Sequence, residues 1–329
     1  MRKLRRLPVL LLLALLPALL GGCVGRDDTT TIKLAHSLDV THPVHRAMEF
    51  MAERLAQKSG GTMRIDIYPS GQLGSERETL ELLQIGSLGM TKVSSSVLEG
   101  FAPAFRVFGL PFLFRDDAHR FAVLDGPIGE ELLRSTEPYR LRGLAYYDAG
   151  SRSFYTTKRP VRTPADLAGL KIRTQESAVA MQMVRTLGGS ATPIAWGEVY
   201  TALQQGVADG AENNPPSFHL SRHYEVARYY TLNEHTAVPD VLVVATEVWD
   251  DLTPRQQRWL DEAAEESAEY QRKLWAEATE EALRAVEEAG VQVIRPDKQP
   301  FLEKGAPLLD EFRRDPTVGP LIQRMQAVR

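Results

Sequence analysis

The 329-residue chain has one cysteine, Cys23, so no disulfide can form within it. No two of its 24 glycines are separated by a single residue, which excludes the G-x-G-x-x-G dinucleotide fingerprint. A P-loop and a G-x-S-x-G nucleophile elbow are also missing. No H-E-x-x-H surrounds the histidine pairs His42/His45 and His219/His223, which read as surface residues rather than metal ligands. Basic residues do not cluster after residue 6 and the net charge is −4, so a nucleic-acid partner is not expected. These absences predict a protein with no catalytic residue, no cofactor and no metal.

Long apolar runs are scarce as well. Leu7 to Leu20 is fourteen residues, shorter than the ~20 that a membrane-spanning helix needs. It follows Arg2, Lys3, Arg5 and Arg6 and leads into Leu20-Gly21-Gly22-Cys23. That is the layout of a secretory signal peptide, and its end resembles a bacterial lipobox. We therefore expect residues 1–22 to be removed and residues 23–31 to be a lipidated Cys23 with a polar tether. Localisation is then periplasmic or extracytoplasmic, with membrane association through the N-terminal lipid only.

What is present is ordinary globular material, 43% hydrophobic and 25% charged, and long enough for two lobes. Pro43 to Lys58 has helical spacing, Met63 to Tyr68 alternates as a strand, and Ser75 with Glu78 forms a capping box before a helix. Leu141–Tyr147, Arg152–Thr157 and Lys171–Thr174 read as strands, with helices over Gln175–Leu187 and Trp196–Gln205, Tyr200 facing inward. This alternation predicts an α/β fold of two lobes. After Thr253-Pro254, no glycine or proline occurs until Gly290. A helix of that length spans roughly 50 Å and must run across both lobes or break.

The richest stretch is Leu167 to Phe218. Arg173 ends a short apolar strand, where a guanidinium can clamp a carboxylate through two parallel bonds. Trp196 can stack on a ligand body, or else serves as a core residue at a helix entry. Asn213 can complete a polar rim, although asparagine before Asn214-Pro215 also suits a turn. The structural alternative for Arg173 is an internal salt bridge, and for Arg152 a place on a loop surface.

The motifs identify a family resemblance. Ile67-Tyr68-Pro69-Ser70-Gly71-Gln72-Leu73-Gly74, Leu110-Pro111-Phe112-Leu113-Phe114, Gly169-Leu170-Lys171-Ile172-Arg173, Pro193-Ile194-Ala195-Trp196 and Asp209-Gly210-Ala211-Glu212-Asn213 occur in that order. With them the mature chain resembles the DctP-type solute-binding proteins of TRAP (tripartite ATP-independent periplasmic) transporters. The resemblance implies a two-lobed periplasmic-binding-protein-like fold, with a ligand cleft between the lobes and one long helix spanning both. It implies lobe I from residues 30–149 plus 239–278, and lobe II from 150–238 plus 279–329. It implies carboxylate binding by Arg173, with ligand contacts from Arg152, Asn213, His36, Glu76, Arg77, Lys92, Ser94, Ser95 and Trp196. The partners implied are an organic acid and the small and large TRAP membrane subunits. DAGSRSFY, TKVSSS and GAENNPPSF are most similar to the subgroup that binds hexuronates such as glucuronate and galacturonate. The alternatives are another sugar acid or a C4-dicarboxylate in the same role, a uronate enzyme, or a sensor domain.

Overall fold

The computed structural model describes residues 29–329, so the signal peptide and Cys23 lie outside the described residues. Apolar strands and amphipathic helices alternate along the first half: β1 (Thr30–Ala35), α1 (Pro43–Lys58), β2 (Met63–Tyr68), α2 (Glu76–Gln84), β3 (Met90–Ser94) and α3 (Ser95–Leu98). Helices α4 (Asp117–Leu124) and α5 (Pro127–Arg134) lead to β4 (Leu141–Tyr147). A second run follows with β5 (Arg152–Thr156), β6 (Lys171–Thr174), α6 (Ala178–Leu187), β7 (Ser190–Pro193), α7 (Val199–Gln204), β8 (Gly210–Asn213), α8 (Pro215–Leu220) and β9 (Tyr229–Thr236). The chain ends with β10 (Asp240–Ala245), α9 (Thr246–Asp251), α10 (Pro254–Glu288), β11 (Gln292–Ile294), α11 (Gln299–Phe312) and α12 (Gly319–Ala327).

The strands form two sheets. The first has the order β2-β1-β3-β10-β4 and the second β11-β9-β5-β8-β6-β7. Strand β1 pairs in parallel with β2 and β3, while β10 runs antiparallel between β3 and β4. In the second sheet β6 is parallel to β7 and β8, and β5 is antiparallel to β8 and β9. The chain passes from the first sheet to the second between Tyr147 and Arg152, and returns between Thr236 and Asp240.

The long helix is unbroken over 35 residues, because Thr253 and Gln256 form a capping box, Pro254 occupies the first turn, and no breaker follows. Leu260, Ala263, Ala264, Ala268 and Trp275 pack against β1, α1 and β4, whereas Val286 packs in a separate core with Tyr155, Phe218 and Tyr230. One helix face thus serves both sheets, and its acidic residues Glu262, Glu265, Glu269, Glu277, Glu280 and Glu281 face solvent. Gln271 holds the first crossing segment: its Nε2 donates to the Asp148 carbonyl at 2.8 Å and its Oε1 accepts from the Asp148 N–H at 2.8 Å. Gly150 follows with φ +57°, and a Cβ there would lie 3.0 Å from Trp275 Nε1. Both the left-handed backbone and the close approach require glycine.

The largest core does not respect the sheet boundary. Phe105 and Phe108, from the segment after α3, are buried in one cluster with Val179, Met183 and Val184 of α6 and with Phe301 and Leu308 of α11. The chain between α3 and α4 therefore couples the two halves through apolar packing as well as through the crossings.

Some boundaries differ from expectation. The helix predicted from Gln175 begins at Ala178, because Ser177 caps it by accepting the Ala180 N–H at 2.9 Å. The helix predicted from Trp196 opens with one 3₁₀ turn, Trp196–Glu198, before α7. Tyr200 is half-buried, its hydroxyl donating to Glu225 at 3.0 Å rather than pointing into the core.

Candidate functional site

A cleft of about 620 Å³ opens between the two sheets, within the range of a small-ligand pocket. Its first wall comes from the C-terminal end of β3, the start of β10 and the first turn of α2. Its second wall comes from β5, β6, the end of β8 and the turn at Trp196. Parallel strands β3 and β6 both deliver their carboxyl ends here, where open α/β sheets leave a crevice.

Arg173 lines the second wall and is almost fully buried. Its Nε donates to the Ile194 carbonyl at 2.8 Å, while the buried Nη1 has no hydrogen-bond partner. No carboxylate among the described residues pairs with it. Burial pushes the guanidinium below its ordinary value, and Tyr155, Glu212 and Glu76 only partly oppose it. The Trp196 ring lies 5.9 Å from the guanidinium carbon and also lines the cleft. Behind Trp196, His223 is hydrogen-bonded to the Tyr155 hydroxyl at 2.8 Å and, by burial and the nearby Arg173 charge, is held at about 3.

Arg152 is the opposite case. It is buried on the cleft wall, but its Nε and Nη2 bind the Glu212 carboxylate, Nη2 also reaching the Glu212 carbonyl at 2.6 Å. Its Nη1 donates to Asn213 Oδ1 at 2.8 Å. Burial raises the Glu212 carboxyl, and the Arg152 charge more than reverses this, holding it at about 2. The Asn213 side-chain oxygen also accepts the Asn214 N–H at 2.9 Å, while its amide nitrogen makes no bond among the described residues. Asn214 caps α8, its side chain accepting the Ser217 N–H at 2.9 Å. Both asparagines line the cleft, but only Asn213 belongs to the arginine network, while Asn214 caps a helix.

On the first wall, Lys92 Nζ sits between Glu76 Oε1 at 2.9 Å and Asp240 Oδ2 at 3.1 Å. Glu76 also accepts the Ser94 N–H at 3.2 Å, and all four residues line the cleft. Burial lowers the Lys92 ammonium, and Asp240 and Glu76 more than offset this, leaving it above its ordinary value. Asp240 is raised by burial, with Lys92 opposing. Arg77 stands at the rim, half-exposed, with Nε 3.1 Å from Glu81 and its guanidinium over the Phe101 ring.

Eight of the ten expected ligand contacts line this cleft: Glu76, Arg77, Lys92, Ser94, Arg152, Arg173, Trp196 and Asn213. Two do not. Both His36 ring nitrogens are engaged inside the protein, Nδ1 with the Leu38 N–H at 3.2 Å and Nε2 with His45 at 2.9 Å. Ser95 is fully buried where its main chain binds Pro239, and the next residue of the serine run is also buried. The strand end turns straight into α3, so only the first serine reaches the wall. The histidine pairs are corrected too: His42, His45 and His223 are buried, not surface residues. His42 caps α1 and reaches Ser217 of α8 at 3.5 Å, and both residues line the cleft.

Sequence reasoning missed Asp240, Glu212, Ser217 and Trp275. Asp240 carried a weak signal, a lone carboxylate opening the apolar run Val241–Ala245. Glu212 and Trp275 carried none that separates a site residue from a core one.

A buried arginine that no carboxylate contacts, facing a cleft between two sheets, is chemically suited to a small organic anion. Residues 34–315 match the family described as bacterial extracellular solute-binding protein, family 7, DctP, and the chain belongs to that family. Solved structures agree. A TRAP periplasmic solute-binding protein from Bradyrhizobium sp., solved with α/β-D-galacturonate, is 45% identical over 90% of this chain and 99% of its own, with a TM-score of 0.88. One from Xanthobacter autotrophicus with bound β-D-galacturonate is 42% identical, covers 91% of this chain and 100% of its own, and also scores 0.88. One from Pseudomonas putida F1 with bound D-glucuronate is 36% identical over 91% and 97%, again at 0.88. The chain is thus a solute-binding protein of the TRAP type.

Proposed function

We propose that this chain captures a hexuronate, galacturonate or glucuronate, and hands it to the small and large membrane subunits of a TRAP transporter. The observation that carries the ligand class is Arg173, whose buried guanidinium contacts no carboxylate among the described residues and whose Nη1 has no hydrogen-bond partner. Burying an unpaired charge is costly, and a bound carboxylate removes that cost while drying the cleft. Around it stand hydroxyl-binding groups, Asn213, Glu76, Ser94 and Asp240, with Trp196 offering an apolar face. Similar proteins solved with galacturonate and glucuronate support the same ligand class.

In this reading Arg173 and Asn213 hold the carboxylate end, and Arg152 supports Asn213. The protein does no chemistry on the sugar. Residues 30–149 plus 239–278 move as lobe I, and 150–238 plus 279–329 as lobe II. Closure occurs about the crossings at 148–151 and 237–239 and along α10, and the closed form docks on the membrane subunits. No helix among the described residues is long and apolar enough to cross a membrane. Lipidated Cys23 tethers the protein in the periplasm, and Cys23→Ser releases it. Calorimetric titration with both uronates tests the ligand reading, with chromatography of the recovered sugar. Tight binding with unaltered sugar is expected. No binding of either uronate rejects the ligand reading, and product that accumulates in proportion to protein favours an enzyme.

A further inference from the structure

The charges that line the cleft point to a rule about how many carboxylates a ligand carries. This inference rests on the sugar-acid reading above and deepens it. Four cations lie on the walls, and three are already matched: Arg77 by Glu81, Arg152 by Glu212, and Lys92 by both Glu76 and Asp240. Only Arg173 is unmatched. The buried and half-buried charges of the walls and their direct partners sum to zero before any ligand enters: Lys92, Arg152 and Arg173 against Glu76, Asp240 and Glu212, with Glu78, Glu81, Glu176 and Glu198 adding exposed negative charge around the cleft. One carboxylate satisfies Arg173. A second would face the Lys92 cluster, which is net negative because one ammonium sits between two carboxylates.

That cluster has acceptors to spare. Asp240 binds Lys92 through Oδ2, and its Oδ1 makes no hydrogen bond among the described residues. A carboxylate oxygen accepts from a sugar hydroxyl but repels a carboxylate. We propose that Asp240, held by Lys92 beside Glu76, is a specificity residue that reads ligand hydroxyls and excludes a second carboxylate. The ligand class is then polyhydroxy monocarboxylates, with aldaric and C4 diacids rejected.

The test uses D-gluconate and D-glucarate, open-chain acids of equal length that differ by one carboxylate, beside D-glucuronate as the reference. In competition against glucuronate, glucarate should bind the parent protein at least tenfold more weakly than gluconate. Asp240→Asn leaves Lys92 with one carboxylate and makes the cluster neutral. It should improve glucarate binding tenfold or more while weakening glucuronate. Glu76→Gln applies the same change from the other side, should Asp240→Asn fail to fold. Glucarate bound by the parent as tightly as gluconate overturns the proposal, as does a folded variant with no gain in glucarate. A parent protein that binds glucuronate yet fails either criterion loses only this rule. One that binds no uronate at all loses the sugar-acid reading itself.

Discussion

The two walls of the cleft handle buried charge in opposite ways. On the first wall Lys92 sits between Glu76 and Asp240, so the positive charge is matched inside the protein. On the second wall Arg152 is likewise matched by Glu212, but Arg173 is not. A matched buried charge holds the fold whether or not it also faces a ligand, since removing one partner strands the other. An unmatched one that faces a cleft is expected to pair with a ligand, so its removal should cost binding rather than stability. Two arginines of similar burial, on strands β5 and β6 that flank β8, differ in their partners, and that difference predicts different roles.

The strongest break of that contrast is Arg173→Ala. Truncating one side of a buried charge pair costs on the order of 2–5 kcal/mol, roughly thirty- to several-thousand-fold in affinity. We expect uronate binding to vanish in calorimetric titration, while the ligand-free melting temperature holds or rises. Arg173→Lys keeps the charge without the two-pronged fork and should weaken binding strongly. A ligand-free protein that melts much earlier would put Arg173 among the structural arginines.

Arg152→Ala should do the reverse. It strands the buried Glu212 carboxylate, with an expected loss of about 3–5 kcal/mol in denaturant unfolding of the empty protein. Unfolding at the parent denaturant midpoint would show that the Glu212 pair is not holding the second sheet.

Acid should sharpen the same comparison from the side of the proton. Burial holds His36 at about 2 and His42 and His223 at about 3, against an ordinary 6.5. These folded values are depressed, so below pH 6.5 the unfolded chain takes up protons that the native chain refuses. Unfolding free energy should therefore fall as pH drops from 6.5. Glu212, held at about 2 against an ordinary 4.5, adds stability that is complete above 4.5 and is withdrawn only as pH falls toward 2. Unfolding midpoints measured from pH 7.5 to 4.5 check the histidine part. A flat profile there would mean that these rings are hydrated in solution.

The smallest expected effect is at a helix cap on the cleft wall. Ser75 caps α2, the helix whose first turn presents Glu76. Ser75→Ala should cost about 1 kcal/mol of stability and little affinity, because the Lys92 and Ser94 bonds still place the Glu76 carboxylate. An affinity loss as large as that of Arg173→Ala would make the cap part of the site.

Local signals were legible before any coordinates. Hydrophobic period and turn chemistry placed α1 at Pro43–Lys58 and β4 at Leu141–Tyr147, and Thr253-Pro254 marked the start of the long helix. Those features depend on neighbours three or four residues apart, which the chain carries in its own order. Motif order carried the family, and Arg173 was visible as a polar end to an apolar strand. The partner of a charge was not legible. Arg152 meets Glu212 sixty positions away, and Lys92 meets Asp240 across 148. Only sheet order brings those pairs together, through β5 beside β8 and β3 beside β10. Nor did sequence separate Ser94, on the cleft wall, from Ser95, buried one residue later, since that depends on where the strand stops. Residue order carries most of the elements, their alternation and the stock of charged residues. Folding settles which charges cancel and leaves Arg173 without a carboxylate partner, because electrostatic compensation acts through space within a few ångströms and takes no account of distance along the chain.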